Sequence, residues 1–249
     1  MQKVAIVFVV CLGALQSWAS ADVINTSFES PEYSTGTIVG QNGWLASSSN
    51  NGGVAVVDDS NAHTGSQALM VDTSTLGGPS WWYKPFNVDA AGSSVEIEFD
   101  LFLESNVGDN YSIFGVDIYN TSSSFSIFRL WTEFDNLDNV TYINTSDGIL
   151  FEPVSRNAWH NYRIVLDYAI DEYALYFDGN FLDSGFLDVG LVGTTVNDVD
   201  IWATTPSGFG DRACYDNLRV TAVPESSTLA CLTSVLLGFV VFNRRRHHV

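Results

Sequence analysis

Three acidic residues, Glu98, Asp100 and Glu104, stand along one run, Val95-Glu96-Ile97-Glu98-Phe99-Asp100-Leu101-Phe102-Leu103-Glu104. Cleavage of a glycosidic bond needs such carboxylates: one protonates the leaving oxygen, and a second, about 5 to 9 Å away, serves as base or nucleophile. With plain alternation all three share one face of a strand, and Ile97, Phe99, Leu101 and Leu103 share the other. A solvated outer face is the ordinary explanation of that pattern. A different chemistry belongs to Trp81-Trp82-Tyr83. Flat rings accept the apolar C–H faces of sugars, while acidic and amide groups take the hydroxyls. Adjacent strand residues point to opposite sides, so one of Trp81 and Trp82 enters the core and the other is exposed as a candidate contact. Trp44, Trp131, Trp159 and Trp202 are expected in the core.

Other reactive side chains offer less. His63 sits in a turn-like Ala-His-Thr-Gly, His160 follows Trp159, and His247 and His248 end the chain, with no His-x-His or His-Glu-x-x-His spacing for a transition metal. Cys11 and Cys231 fall in terminal apolar runs, which leaves Cys214 as the single thiol of the central part and excludes a disulfide within it. It is expected to be buried in a final strand. There is no Gly-x-Ser-x-Gly elbow, phosphate loop or EF-hand. Sequons starting at Asn25, Asn110, Asn120, Asn139 and Asn144 read as a surface rich in Asn, Ser and Thr.

The elements that must position these groups are short runs of β-branched and aromatic residues bounded by Gly, Asn, Asp and Ser. Strands are predicted at residues 24–28, 54–57, 67–72, 81–86, 95–103, 112–119, 125–132, 159–167, 173–177, 199–203 and 214–221. Many short strands with little helical periodicity imply an all-β sandwich or barrel. Phe177-Asp178-Gly179-Asn180-Phe181 carries the signal of a tight hairpin. Residues 47–53, Ser-Ser-Ser-Asn-Asn-Gly-Gly, read as a loop rather than a boundary, and no repeat divides the span.

Charge separates the ends from this domain. The 249 residues hold 10 basic and 29 acidic side chains, a net charge of −19. All the acids lie between Asp22 and Glu225, where six basic residues leave a net −23. Such a surface repels phosphate and excludes nucleic acid as a partner; any polymer it holds is expected to be neutral or bridged by cations. The remaining positive charges, Lys3 and Arg244, Arg245 and Arg246, flank two apolar runs. Residues 1–21 have the layout of a secretory signal peptide, with small residues Ala19 and Ala21 at the cleavage site. At the other end, Val223-Pro224-Glu225 leads into the apolar run 229–242 and the arginines. Fourteen helical residues rise only about 21 Å, a marginal span, and the arginines orient it with the tail cytoplasmic.

This C-terminal arrangement resembles the PEP-CTERM protein-sorting signal of Gram-negative bacteria, with Ser226 in place of the usual second proline. The resemblance covers residues 223–249 and implies an exosortase-type processing enzyme as partner and delivery to the cell surface or extracellular matrix. The central run Trp159 to Asp167, followed by Tyr173 to Gly179, resembles the strand pair of laminin-G and concanavalin A-like jelly rolls. Phe28-Glu29, Gly40 to Trp44, His63 to Leu69 and Tyr215 to Val220 resemble the opening and closing strands of carbohydrate-binding sandwiches. In such sandwiches the corresponding acids sit near a calcium ion, which here implies Glu29 and Asp216 as ligands of a structural Ca²⁺. The related glucanases carry Glu-x-Asp-x-x-Glu, whereas here one extra residue separates Asp100 from Glu104.

The expectation is therefore a signal peptide (1–21), one jelly-roll sandwich (22–222) and a sorting signal (223–249). The central domain is read as a non-enzymatic, polysaccharide-binding or structural protein of the cell surface. A glycoside hydrolase or lyase, and a purely structural adhesin, are the alternatives.

Overall fold

The computed structural model describes residues 21–75, 77–104, 112–121, 125–135, 140–145, 148–205 and 211–223. Residues Ser20–Glu225 make one compact unit. Within it the alternating runs form two antiparallel sheets. One is ordered β14 (Asn180–Phe186), β13 (Glu172–Phe177), β12 (Trp159–Asp167), β7 (Ser94–Leu103), β16 (Arg212–Val223), β5 (Ala68–Asp72), β4 (Val54–Asp58) and β2 (Gly36–Thr37), with β1 (Ala21–Thr26) also paired to β16. The other is ordered β11 (Gly148–Val154), β10 (Val140–Thr145), β9 (Phe125–Asp135), β8 (Ile113–Asn120), β15 (Thr195–Thr204), β6 (Ser80–Asp89) and β3 (Leu45–Ala46). Strands distant in sequence pair at both sheet centres, so the connections cross between sheets as in a jelly roll.

The core is the set of inward positions from both sheets. Ile97, Phe99 and Leu101 of β7 and Tyr162, Ile164 and Leu166 of β12 belong to one buried cluster with Val116 and Ile118 of β8, Leu130 of β9 and Val199 and Ile201 of β15. Phe128 and Tyr173 meet across the layers at 4.7 Å between ring centroids, and the Tyr215 hydroxyl donates to the Gly115 carbonyl at 3.3 Å. Trp44 is fully buried beside Phe28 and Tyr33. Cys214 is buried too, and loss of solvent pushes its thiol up to about 12, so it carries no thiolate at neutral pH.

The terminal strands of the unit are tied together. β1 runs beside β16, and Asp22 accepts from Arg219 Nε at 2.9 Å and from the Thr221 hydroxyl at 3.0 Å. The predicted hairpin at Asp178-Gly179 is present, joining β13 to β14. β10 and β11 were not predicted: neither Val-Thr-Tyr-Ile-Asn-Thr nor Gly-Ile-Leu-Phe-Glu-Pro-Val alternates cleanly, and pairing of β10 onto β9 and of β11 onto β10 supplies what propensity does not. Of the sequons, Asn120 and Asn144 are buried rather than on the surface. Ala19, Pro224, Glu225 and Arg244 to Arg246 lie outside the described residues. No helix among the described residues is long and apolar enough to cross a membrane.

Candidate functional site

The outer face of the seven-stranded sheet carries a set of side chains that the core does not account for. Register places them in three rows across the strands. One row runs Pro85, Asp198, Tyr119, Ser126; the next runs Tyr83, Asp200, Asp117, Arg129; the third runs Trp81, Trp202, Gly115, Trp131, Asn144. Asp198 and Tyr119 of the first row, Tyr83 and Asp200 of the second and Trp81 of the third border a groove of about 450 Å³, whose lining is completed by Ser47, Ser48, Ser49 and Thr121. The Ser47–Ser49 wall is fixed to the sheet by a hydrogen bond from the Ser47 amide to the Trp81 carbonyl. The size falls within the range of sites that hold one or a few small rings.

Beside the groove, the third row is built around a bulky ring and a missing side chain. Trp202 lies over Gly115: a Cβ there would stand 2.5 Å from the indole nitrogen and 2.6 Å from the Leu130 carbonyl. Trp202 in turn meets Trp131 at 6.5 Å, and the Arg129 guanidinium sits 5.3 Å from its ring. Two ladder irregularities flank Asp198, one between Val196 and Asp198 on the β6 side and one at Ile118/Tyr119 on the β9 side. Bulges of this kind re-aim side chains next to functional surfaces.

Three carboxylates neighbour one another on β15 and β8: Asp198 and Asp200 line the groove, and Asp117 lies next to Asp200 across the strands. Asp117 is fully buried and held by a bidentate pair, Arg129 Nε to Oδ1 at 2.7 Å and Nη2 to Oδ2 at 2.6 Å. Burial raises its pKa and the Arg129 contacts pull the other way, with the rise prevailing. Asp198 and Asp200, two apart on β15, stand about 6.6 Å apart along the strand. Asp198 is only 6% exposed, and Oδ1 of each has no hydrogen-bond partner among the described residues. Burial, then the charge of Asp117, pushes Asp198 up to about 6. Burial, then Asp198 and Asp117, pushes Asp200 up to about 8, with Arg129 opposing. At neutral pH the pair holds about one proton between them. Such a pair can accept hydroxyl hydrogens and exchange a proton, beside the half-buried rings of Trp81 and Tyr83, which offer stacking surfaces.

The residues singled out in the sequence are distributed differently. Trp81 and Tyr83 are half-buried and line the groove, whereas Trp82 is 1% exposed and packs in the core, because alternation along β6 turns it inward. Glu98, Asp100 and Glu104 lie on or next to β7, in the other sheet, and none of them lines the groove. Asp100 is also not solvated: it is 4% exposed and takes hydrogen bonds from Asn161 at 2.9 Å and Asn217 at 2.7 Å, with the His63 ring at 2.7 Å. His63 stacks on Trp159 at 5.1 Å, which holds the ring over that carboxylate.

Glu29 and Asp216 approach one turn from two sides. Glu29 accepts from the amides of Ser66 (2.6 Å) and Gln67 (2.7 Å) and from the Ser66 hydroxyl (2.9 Å). Desolvation opposes its ionised form, but these donors outweigh it and lower its pKa. Asp216, fully buried, accepts from the amides of His63 (3.0 Å), Thr64 (2.9 Å) and Asn217 (2.7 Å). Gly65 between them has φ +69°, and a Cβ there would strike the Glu29 carboxylate. Three N–H or O–H donors on each carboxylate thus occupy most of the lone pairs that a hard cation would use. Among the described residues no group of three or more His, Cys, Asp or Glu gathers for a metal. The residues present do not fit the oxygen cage that Ca²⁺ requires.

Asp117, Tyr119, Arg129, Asp198 and Asp200 were not singled out in the sequence. The available signal is Asn197-Asp198-Val199-Asp200-Ile201-Trp202, which alternates polar and apolar; the strand predicted at 199–203 is shorter than β15 and leaves Asp198 outside it. Cross-strand neighbours such as Asp117 and Arg129 have no sequence signature, since register alone makes them adjacent.

Neither a protein-family model nor a curated protein matches this chain. Solved structures do resemble it. Cellulose induced protein Cip1 superposes with a TM-score of 0.54 at 16% identity, over 79% of this chain and 96% of its own. The marine PL7 alginate lyase AlyA1 from Zobellia galactanivorans gives 0.51 at 11% identity, over 75% and 85%. A protein of unknown function with a galectin-like fold from Bacillus subtilis gives 0.51 at 10%, over 82% and 98%. At these identities the likeness establishes the jelly-roll sandwich and not the activity.

Proposed function

We propose that this protein binds a polysaccharide chain, without cleaving it, in the groove on the seven-stranded sheet. The observation that carries this reading is the joint lining of one open groove by half-buried aromatic rings, Trp81 and Tyr83, and by carboxylates with unused acceptor atoms, Asp198 and Asp200. Rings and hydroxyl acceptors are what an amphipathic sugar needs. The names of the structural neighbours, a cellulose induced protein and an alginate lyase, point the same way. A glycan array probed with the purified protein tests it: wild type binds at least one polysaccharide, and Trp81→Ala lowers that binding at least about tenfold, the loss of roughly 1.4 kcal/mol. Binding unchanged by Trp81→Ala would reject the groove.

The place of action is the cell surface or matrix of a Gram-negative bacterium. Support comes from the signal-peptide layout of residues 1–21 and from the Val223-Pro224-Glu225 motif, apolar run and Arg244 to Arg246, which fit processing by an exosortase-type enzyme. Removal of residues 223–249 is expected to abolish surface display, read by protease accessibility on intact cells.

A second reading has one observation in its favour: Asp198 and Asp200 are unpaired acids on one strand face. Asp200 would act as general acid and Asp198 as base in glycosidic hydrolysis. New reducing ends, absent in Asp200→Asn, are the sign of that activity.

A further inference from the structure

The groove's acids narrow the kind of sugar it takes. This inference rests on the groove being the binding site. Among the described residues Asp198 Oδ1 and Asp200 Oδ1 are acceptors without donors, and Asp198 is only 6% exposed. A buried acceptor left empty costs free energy that a ligand donor recovers. The groups facing the pair are Tyr83 from β6, Asp117 and Tyr119 from β8 and, behind Asp117, Arg129 from β9. Lys84, the other cation near β6, is turned away to the Tyr33 hydroxyl and the Asn42 carbonyl. The wall Ser47–Ser49 brings no charge. One cation therefore stands against three carboxylates, and that cation is already committed to Asp117 in a bidentate pair. A uronate would add a fourth carboxylate with nothing to receive it, whereas an uncharged sugar brings only hydroxyl donors.

We propose that Asp198 and Asp200 form a two-carboxylate clamp for the hydroxyl groups of an uncharged pyranose seated against Trp81 and Tyr83, and that filling the clamp releases a proton. Hydroxyl hydrogens directed at the two Oδ1 atoms favour the ionised carboxylates over the proton that burial and mutual repulsion hold there. No bond to the sugar is made or broken; the proton leaves to solvent. Affinity consequently rises with pH while the pair is still losing its proton.

Isothermal titration of the purified full chain with neutral glucan, galactan and mannan oligosaccharides, and with alginate oligosaccharides as the uronate probe, tests the clamp. A neutral probe is expected to bind about tenfold more tightly at pH 8.5 than at pH 5.5, with net proton release when buffers of different ionisation enthalpy are compared at pH 7. Asp198→Asn and Asp200→Asn are each expected to weaken it and flatten the pH dependence, while melting no lower than wild type because each removes a repelling charge. Two kinds of failure separate. No binding of any probe, or binding indifferent to Trp81→Ala, rejects the groove itself. Binding lost in Trp81→Ala but tighter for alginate, accompanied by proton uptake, or unchanged in both Asn variants, keeps the groove and overturns the clamp. Shortened oligosaccharides after incubation overturn it as well, in favour of hydrolysis.

Discussion

Asp200 shows how a single residue reports its surroundings. Its folded pKa, about 8, lies far above that of an unfolded chain, because burial and two neighbouring carboxylates disfavour its charge. For a carboxyl shifted upward, the stabilising contribution is complete below the unfolded value near 4 and is lost as pH climbs through the folded one. Wild type and Asp200→Asn are therefore expected to melt alike at pH 4, with the variant gaining on wild type up to pH 8.5. A gain of about 5 °C there corresponds to roughly 2 kcal/mol in a domain of this size. Parallel melting curves across that range would show that the carboxylate is not held at its raised pKa. Asp117 meets the same problem with a partner: its pKa is raised by burial too, but the Arg129 guanidinium opposes the rise and compensates its burial next to the pair.

At the scale of elements, the sheet beside the groove depends on the close approach of β8 to Trp202. Gly115 is central to it for lack of a side chain, not for unusual backbone freedom, since a Cβ would enter the indole and the Leu130 carbonyl together. Gly115→Ala is expected to cost about 1–3 kcal/mol, by over-packing between rigid neighbours. It should also weaken polysaccharide binding, because Trp202 and the Trp81 row must shift; a melt and a titration on the same sample check both. The opposite sheet shows a contrasting use of acids. There Asp100, Asp216 and Glu29 are satisfied by His63, Asn217 and the amides of the 63–67 turn, so they hold the closing strands rather than meet a ligand.

For the whole molecule the governing quantity is charge. Residues 22–225 carry a net −23, a self-repulsion that salt screens over a Debye length of about 10 Å at 0.1 M. Raising NaCl from 20 to 500 mM is expected to raise Tm. Addition of a calcium chelator is expected to leave Tm unchanged within about 1 °C, because Glu29 and Asp216 already clamp the turn by hydrogen bonds. A chelator-induced fall of several degrees would restore the cation to that turn.

Alternation and turn chemistry were enough to read an all-β sandwich from the chain, to set Val95–Leu103 on edge between core and outer face, and to find the hairpin at Asp178-Gly179, since these depend on neighbours in sequence. The same alternation required that Trp81 and Trp82 part ways, but which of them faces outward is decided by which sheet face meets the core. β10 and β11 escaped because their strand state comes from pairing, of β10 to β9 and of β11 to β10. The groove escaped for the same reason at larger range: Tyr83, Asp117, Arg129 and Asp200 are separated by up to 117 residues and become one row only through register. Periodicity is a local property that the sequence carries by itself, whereas the company an acid keeps, and hence whether it is a strut or a binding group, exists only once the sheets have assembled.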